Sequence, residues 1–257
     1  MKKIVVKVGT NVLTTQNGAL DTDVIYQLAQ QIAEIQASGT QVVLVSSGAV
    51  GAGKTLVKLA NTTEDIAQRQ IYSAVGQAKL ISTYAKYFAD HKITCAQVLA
   101  TKNDFSSSKE HYKNMKSCLQ GLLKEGIVPI VNENDVVSLS ELMFTDNDEL
   151  AGLMAFMIEA DKLIILSNVA GVYDGNPEED GSKVITEIPF GNERYTQFIQ
   201  KDKSSGGRGG MQSKFDTAKR VTEKGIVVHI ANGKQKEVIL DILKTKKVGT
   251  VFLAKPH

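Results

Sequence analysis

The stretch Gln41–Thr55, QVVLVSSGAVGAGKT, places the tightest limits on what this chain can form. Its β-branched run Val42–Val45 ends abruptly at Ser46, and a turn rich in glycine follows. A strand that feeds such a turn exposes backbone N–H groups that no side chain crowds, which suits an anionic ligand. The stretch also matches the P-loop pattern G-x-x-x-x-G-K-[ST] at Gly48, Gly53, Lys54 and Thr55. Two kinds of phosphate site are therefore open.

Apolar runs with strand character alternate with helical patterns along nearly the whole chain. The predicted strands are Ile4–Val8, Val42–Val45, Ile93–Leu99, Ile127–Val131, Lys162–Leu166, Ile226–Ile230 and Gly249–Leu253. The predicted helices run from Asp21 or Thr22 to Gly39, Glu64–His91 with a break near Gly76, Lys109–Lys124, Asn147–Ala160 and Met211–Glu223. Between them we expect a hairpin arm at Leu139–Phe144, a turn-rich loop at Gly171–Gly181 and a mobile loop at Lys201–Gly210. The alternation predicts an α/β fold, a three-layer α/β/α sandwich around a mainly parallel sheet.

Composition narrows the class of protein. The chain has 257 residues and no clear linker, and we expect a single domain over residues 1–257. A net charge of +2 leaves no broad basic surface, so nucleic acid is not an expected partner. No apolar stretch is long enough to span a membrane, and the four histidines show no metal-ligand spacing. Two cysteines suit a reducing, cytoplasmic location.

Small and polar residues gather directly after the predicted strands. In a parallel sheet, ligands bind outside the carboxyl ends of the strands, so these positions are the candidate site. They are Lys7 and Gly9 on the first strand, Ser46–Gly48 on the second, Asn132–Asp135 on the fourth and Ser167-Asn168 on the fifth. The prediction rests on small and polar residues at the ends of four strands, which is stronger support for a site than one motif match.

Each candidate also has an ordinary structural explanation. Lys7 either clamps a phosphate or extends to water from an edge strand. Asp146 and Glu149 resemble a capping box, and Asp148 either favours the helix dipole or serves catalysis. Asn132–Asp135 is a polar turn or a receptor for a zwitterionic substrate. The segment from Ser205 to Lys214 is a flexible surface loop or a loop that closes over phosphates.

The P-loop interpretation needs a second strand that ends in an Asp to hold Mg²⁺. The best buried candidate, Leu163–Leu166, instead ends in Ser167-Asn168. A dinucleotide-dependent oxidoreductase is disfavoured because G-x-G-x-x-G does not follow the first strand. A nucleotide sensor without catalysis would have little use for paired lysines. A P-loop ATPase or kinase using Gly48–Thr55 stays open as the alternative to a kinase of another kind.

Several segments together resemble the amino-acid kinase family, and within it the glutamate 5-kinases (γ-glutamyl kinases). They are VVKVGTNVLT (Val5–Thr14), VSSGAVGAG (Val45–Gly53), VNENDVV (Val131–Val137), TDNDELA (Thr145–Ala151), LSNVAGVY (Leu166–Tyr173), GGMQSK (Gly209–Lys214) and VGT (Val248–Thr250). The resemblance implies ATP-dependent phosphorylation of the γ-carboxylate of L-glutamate to L-glutamyl 5-phosphate, the first step of proline biosynthesis. Another member of the family with a different carboxylate or phosphate acceptor is the alternative.

By the same resemblance, residues take roles in the reaction. Lys7 and Lys214 contact the phosphates and Asp148 orients both lysines. Ser47, Asp135 and Asn147 bind glutamate. ATP, with Mg²⁺, is bound by Lys7, Ser167, Asn168, Arg208, Gly209, Gly210, Met211, Gln212, Ser213 and Lys214, and no protein ligand for the metal is assigned.

This chain departs from the family's usual pattern at Ser167-Asn168, where Thr-Asp is usual, and at Arg208, where Thr is usual. The first departure weakens a nucleotide contact, and the second adds a positive charge beside the phosphates. We expect no RNA-binding-like PUA domain after the kinase domain. The resemblance further implies a homo-oligomer and a hand-over of product to glutamyl phosphate reductase.

Overall fold

The computed structural model describes residues 1–60, 64–106, 109–138, 146–177, 179, 181–195 and 210–256. Within them, eight strands form one sheet in the order β3-β4-β2-β1-β5-β7-β8-β6. The strands are β1 Lys3–Val8, β2 Gln41–Ser46, β3 Cys95–Ala100, β4 Val128–Glu133, β5 Lys162–Ser167, β6 Glu187–Ile188, β7 Val227–Asn232 and β8 Thr250–Phe252. Each pairing is parallel except that of β7 with β8. The predicted, mainly parallel sheet is confirmed.

Helices cover both faces of this sheet. They are α1 Thr10–Leu13, α2 Thr22–Ala37, α3 Ala49–Leu56, α4 Asp65–Asp90, α5 Asn103–Ser106, α6 Lys109–Lys124, α7 Asn147–Ile158, α8 Met211–Thr222 and α9 Val238–Leu243. One apolar core joins the sheet to α6, α7 and α8, and a second core joins the opposite face to α2, α4 and α9. This is the predicted three-layer sandwich.

Alternation along β1 decides which layer each of its side chains meets. Val5 belongs to the core under α7 and α8, whereas Ile4, Val6 and Val8 belong to the opposite core. Because successive side chains of a strand point to opposite faces, Lys7 lies on the same face as Val5. The last lysine of β1 is therefore delivered to the layer that contains α7 and α8.

Two predictions were wrong: that a glycine-rich turn follows β2, and that the next long helix breaks near Gly76. Residues Ala49–Leu56 form α3, which begins after Gly48 in a left-handed conformation with a φ of 103°. Helix α4 runs unbroken through Gly76. A Cβ on Gly53 would collide with the backbone of Tyr72, and one on Gly76 would collide with the backbone of Ala49. Both glycines therefore allow two helices to pack in direct backbone contact.

The structure leaves some predicted segments undescribed and adds elements that the patterns did not indicate. The predicted hairpin arm Leu139–Phe144 and residues 201–209 of the predicted loop lie outside the described residues. The short elements α1, α5, α9 and β6 were not predicted, because none is long enough to show a period. In the described part of the chain, no helix has the length and apolar character needed to cross a membrane.

We expect Gly76→Ala to lower the free energy of unfolding by about 1–3 kcal/mol, because the added methyl overpacks the α3–α4 contact. The matched control is Gly121→Ala, on an exposed face of α6 where a Cβ meets nothing within 4 Å. That variant should gain about 0.5–1 kcal/mol from helix propensity. Urea unfolding of both proteins measures the difference. Equal stabilities of the two variants would contradict the proposed close packing.

Candidate active site

A cleft of about 470 Å³ opens where β4, β2, β1 and β5 end side by side in the middle of the sheet. Its lining includes Lys7, Gly9, Ser47, Gly48, Asn132, Asp135, Asn147, Ser167, Asn168 and Lys214. The chain leaves β1 for β2 on one side and returns to β5 on the other, so β1 is the point where the strand order reverses. Such a switch point is where open α/β sheets bind ligands. The structure thus places the candidate residues that follow these four strands in the lining of one cleft.

Two lysines and one aspartate form a buried charged group at this cleft. Lys7 Nζ lies 2.5 Å from Asp148 Oδ1, and Lys214 Nζ lies 3.0 Å from Asp148 Oδ2. The exposed fractions are 4% for Lys7, 5% for Lys214 and 0% for Asp148. Both lysines line the cleft, whereas Asp148 is absent from its lining and lies behind them. One carboxylate thus holds two ammonium groups at the cleft wall, one on each oxygen.

Local structure explains why these three side chains meet. Lys7 ends a central strand, Asp148 lies in the first turn of α7, and Lys214 lies in the first turn of α8. Asp146 caps α7, because its Oδ1 accepts hydrogen bonds from the N–H groups of Asp148 at 2.8 Å and Glu149 at 3.1 Å. The predicted role of Asp146 as a cap is confirmed. The Glu149 side chain meets Lys102 Nζ at 3.3 Å.

Electrostatics keep Asp148 charged in spite of its burial. Desolvation would raise the pKa of this carboxyl, but the charges of Lys7 and Lys214 and their hydrogen bonds outweigh it and hold the pKa below the usual range. The neighbouring Asp146 shows the opposite shift: burial, and then the negative charge of Asp148, raise its pKa. Within this group the two ammonium groups exceed the one carboxylate by one positive charge, and both lysines line the cleft.

A chain of amides joins the predicted substrate residues at the ends of β2 and β4. Asn147 Nδ2 donates to Ser47 Oγ at 2.8 Å and to Asn132 Oδ1 at 2.9 Å. Asn132 Nδ2 in turn donates to Gln77 Oε1 at 2.9 Å. Ser47 and Asn147, 100 residues apart in the chain, are therefore direct neighbours. The arrangement presents hydroxyl and amide groups at one wall of the cleft.

Asp135 is tied to α4 rather than left open in a turn. Its Oδ1 accepts from Arg69 Nη2 at 2.6 Å and Nε at 3.1 Å, and its Oδ2 accepts from Ser73 Oγ at 2.8 Å. Glu133 Oε2 lies 4.0 Å from Arg69 Nη2. Arg69, Ser73 and Gln77 were missed because they lie in a helix and not after a strand. Their spacing of four residues, which puts polar groups in one stripe along α4, is the signal that could have found them.

The residues predicted to bind the nucleotide divide into three groups. Ser167 and Asn168 line the cleft, and Ser167 Oγ donates to Asn168 Oδ1 at 3.4 Å. Gly210, which has no side chain, takes the N-cap position of α8. Along the first turn of α8, Met211 packs against the core, Gln212 Nε2 donates to Asp216 Oδ1 at 2.9 Å, and Ser213 hydrogen bonds with Asp146. Arg208 and Gly209 lie outside the described residues.

The P-loop interpretation is wrong. In a P-loop the Gly-Lys-[Ser/Thr] residues open a helix, so that their N–H groups surround the phosphate. Here Lys54 lies in the last turn of α3, and Thr55 Oγ1 donates to the carbonyl of Ala52. Lys54 Nζ lies 5.9 Å from the centre of the Tyr72 ring. Gly53, Lys54 and Thr55 therefore end a helix and pack it against α4.

Comparison with known proteins agrees with this geometry. Residues 2–232 match the family model described as the amino acid kinase family. The chain belongs to the amino acid kinase family. It is 49% identical to the glutamate 5-kinase of Bacteroides thetaiotaomicron, with 94% of this chain and 67% of that protein covered. It is 47% identical to the glutamate 5-kinase of Chlorobaculum tepidum, with 99% of this chain and 70% of that protein covered. It is 39% identical to the glutamate 5-kinase of Clostridium perfringens, with 99% of this chain and 96% of that protein covered.

Solved structures support the fold alone. The isopentenyl phosphate kinase of T. acidophilum, in a product complex, aligns with a TM-score of 0.67 at 16% identity. The alignment covers 98% of this chain and 100% of that one. At this identity the resemblance shows a shared architecture, and the choice of substrate has to be argued from the residues of the cleft.

We expect Asp148→Asn to lower the free energy of unfolding by about 3–5 kcal/mol at neutral pH, because it leaves two buried ammonium groups without their counter-charge. The folded-state pKa of Asp148 is lowered, so its stabilising effect is present above the ordinary aspartate pKa of about 3.9 and is lost as the pH falls through the folded value. Urea unfolding from pH 7 down to pH 3 measures both proteins. The difference between wild type and variant should shrink below about pH 4, and a constant difference would contradict the assignment.

Proposed function

We propose that this protein transfers the γ-phosphoryl group of ATP to the side-chain carboxylate of L-glutamate, giving L-glutamyl 5-phosphate and ADP, the first step of proline biosynthesis. The observation that carries the proposal is the Lys7–Asp148–Lys214 group, which gives the cleft a fixed positive charge. The family and the sequence identity to glutamate 5-kinases support the choice of reaction.

The chemistry asks for charge neutralisation rather than proton transfer. The glutamate γ-carboxyl group has a reference pKa of about 4.3 and is an anion at neutral pH. One of its oxygens attacks the γ-phosphorus, the bond from that phosphorus to the bridging oxygen breaks, and ADP leaves with the electron pair. No proton moves, so no general base is needed. The barrier lies in bringing an anion against a polyanion, which positioning and preorganised positive charge lower.

Lys7 and Lys214 are the groups that supply this charge. Their ammonium groups are fixed on the two oxygens of Asp148, so they are in place before substrate arrives and need little reorganisation. Asp148 acts through them as a positioning residue, since it lies behind both and does not line the cleft. The first turn of α8 adds N–H groups beside Lys214, and a helix start with glycine at the N-cap suits a phosphate.

The two substrates share the cleft from opposite walls. Ser47, Asp135 and Asn147 bind glutamate, with hydroxyl and amide groups for a carboxylate and a carboxylate for the ammonium. Ser167, Asn168 and the segment from Arg208 to Lys214 bind ATP. Asp146, which is half-buried and hydrogen bonds with Ser213, also lines the cleft.

Mg²⁺ fits this site as a companion of ATP. The described residues hold no group of three or more His, Cys, Asp or Glu side chains arranged for a metal ion. The carboxylates that line the cleft are Glu133, Asp135 and Asp146. Mg²⁺ in kinase sites is bound mainly through substrate phosphates, water and one or two carboxylates, so Asp146 is the best placed to assist. When bound, the ion would supply positive charge to the phosphate oxygens.

The wider context of the reaction stays a prediction. An acyl phosphate is a reactive product, and its hand-over to glutamyl phosphate reductase would protect it from water. We further propose that the protein forms a homo-oligomer in the cytoplasm. The free cysteines Cys95 and Cys118 agree with a reducing compartment.

Substrate choice is tested by ADP release from the purified protein with ATP and Mg²⁺. We expect release with L-glutamate and little with L-aspartate, N-acetylglutamate, UMP or isopentenyl phosphate. The last three lack a free ammonium for Asp135, and L-aspartate has the ammonium but a side chain one methylene shorter. Trapping the acyl phosphate with hydroxylamine should give the γ-hydroxamate. Preference for any of the other acceptors would reassign the protein to a different activity within its family.

Lys7→Ala and Lys214→Ala should each lower kcat by about 10²-fold or more, as expected when a preorganised electrostatic group is removed. The control is Lys116→Ala, a lysine that binds Glu159 at the surface outside the cleft. That variant should keep the wild-type kcat. Either cleft variant turning over at a near-normal rate would remove that lysine from the proposed mechanism.

Asp135→Ala should mainly raise the KM for glutamate, because it removes the carboxylate proposed for the substrate ammonium. The KM for ATP should change little. Asp23→Ala, an exposed carboxylate of α2, is the control and should alter neither value. A KM for glutamate that matches the wild type would exclude Asp135 from the substrate site.

A further inference from the structure

We propose that Arg69 of α4 binds the α-carboxylate of the amino-acid substrate and thereby makes the enzyme select α-amino acids over simple amines. This inference rests on the proposed function and goes beyond it, because Arg69 has no role in the reaction as described above. Arg69 lines the cleft together with Ser47, Asn132, Asp135 and Asn147. Its guanidinium contacts Asp135, one of the residues proposed above to bind glutamate.

The guanidinium of Arg69 is fixed before substrate binds. Two of its nitrogens, Nε and Nη2, donate to the same oxygen of Asp135 at 3.1 and 2.6 Å. Asp135 is itself fixed by Ser73, and it is buried. A planar group held through two nitrogens has a defined orientation, so little side-chain entropy is lost when it binds a further anion.

The same guanidinium has donors left for a ligand. Nη1 makes no hydrogen bond or ion pair with any residue in the part of the chain that the structure describes. The side chain of Arg69 is 33% exposed, and Arg69 is one of the residues that line the cleft. An arginine fork presents five N–H donors in one plane, and a carboxylate accepts two of them side by side. A carboxylate is the ligand that these donors fit.

Charge pairing assigns this carboxylate to the α-position of the substrate. The γ-carboxylate has to meet the phosphoryl group at the lysine end of the cleft. The α-carboxylate and α-ammonium then lie at the other end, where Arg69 stands beside Asp135 and Glu133. This set of charges is complementary to a zwitterion. Asp135 and Glu133 accept hydrogen bonds from the substrate ammonium, and Arg69 donates hydrogen bonds to the substrate carboxylate.

The arrangement also predicts how the site rejects other molecules. 4-Aminobutyrate is glutamate without the α-carboxylate, so it would leave the donors of Arg69 unpaired. Glutarate is glutamate without the ammonium, so it would lose the contacts proposed for that group with Asp135 and Glu133. A site built to pair a substrate group discriminates strongly against analogues that lack it, because its own polar groups are left unsatisfied.

The test compares wild type and Arg69→Ala on these three molecules. ADP release gives kcat/KM for each, and where turnover is too slow the inhibition constant against glutamate replaces it. We expect Arg69→Ala to lower kcat/KM for glutamate by about 10²-fold. The kcat/KM for glutarate, or its affinity as an inhibitor, should fall by a similar factor. The same constant for 4-aminobutyrate should change by less than about threefold, because this molecule has no α-carboxylate for Arg69 to bind.

A purely structural role for Arg69 gives a different pattern. If Arg69 merely held Asp135 in place, its loss would lower kcat/KM for glutamate and for 4-aminobutyrate by the same factor, because both molecules use the ammonium site. That result, or an unchanged glutamate KM, would overturn the proposal. Arg69→Lys keeps the charge without the planar fork, so its kcat/KM for glutamate should lie between those of wild type and Arg69→Ala. If Arg69→Lys equals the alanine variant in its KM for glutamate and in its thermal stability, that result would also contradict the proposal.

Controls separate this inference from the proposed function. Arg194→Ala, which removes an exposed arginine outside the cleft, should leave all three constants unchanged. The KM for ATP should stay within about twofold in Arg69→Ala, since Arg69 lies in the half of the cleft assigned to glutamate. A wild type that releases no ADP with glutamate would overturn the proposed function and the role of Arg69 with it. A glutamate-active wild type with uniform losses in Arg69→Ala would overturn the role of Arg69 alone.

Discussion

The contact of one buried carboxylate with two buried ammonium groups constrains more of this molecule than any other interaction. Removing a charged group from water costs several kcal/mol, and Lys7, Asp148 and Lys214 are all nearly inaccessible. The cost is acceptable only where each charge finds its partner at hydrogen-bonding distance. A strand end and two helix starts therefore have to converge at one point, and the placement of α7 and α8 on the Val5 face of the sheet achieves this. The excess positive charge of this group suits the polyanionic ligand proposed for the cleft.

This charge divides the cleft into two chemically distinct ends. The lysine end attracts anions without discrimination and would suit any phosphoryl donor. The end formed by Asn132, Asp135 and Asn147 mixes amides with a carboxylate that already holds Arg69. A molecule with one carboxylate to offer the first end and a zwitterion to offer the second is complementary to the whole cleft. The isopentenyl phosphate kinase of T. acidophilum shares the architecture at 16% identity, so it is the polar residues rather than the fold that select the acceptor.

Much of the fold could be predicted from the sequence, because buried parallel strands are continuous β-branched runs and their ends carry the site. Lys7, Ser47 and Asp135 were predicted on that physical ground, and their meeting in one cleft follows from the central position of their strands. The glycines between Gly48 and Gly76 could not be interpreted in the same way. Glycine serves a ligand-binding turn and a close helix crossing equally well, and a single sequence does not distinguish them. Arg69, Ser73 and Gln77 were missed because a polar stripe on a long helix is ordinarily its solvated face.

These two errors have one structural cause. Gly53 and Gly76 let the backbones of α3 and α4 touch, and the contacts at Tyr72 and Ala49 set how deeply α4 lies over the sheet. Directly after Tyr72 and Gly76 in α4 come Ser73 and Gln77, which hydrogen bond with Asp135 and Asn132. Arg69, one turn earlier, also binds Asp135. A bulkier residue at either glycine would push this polar stripe away from Asp135 and Asn132. The glycines thus affect the cleft through the position of a helix, and not through a loop around a phosphate.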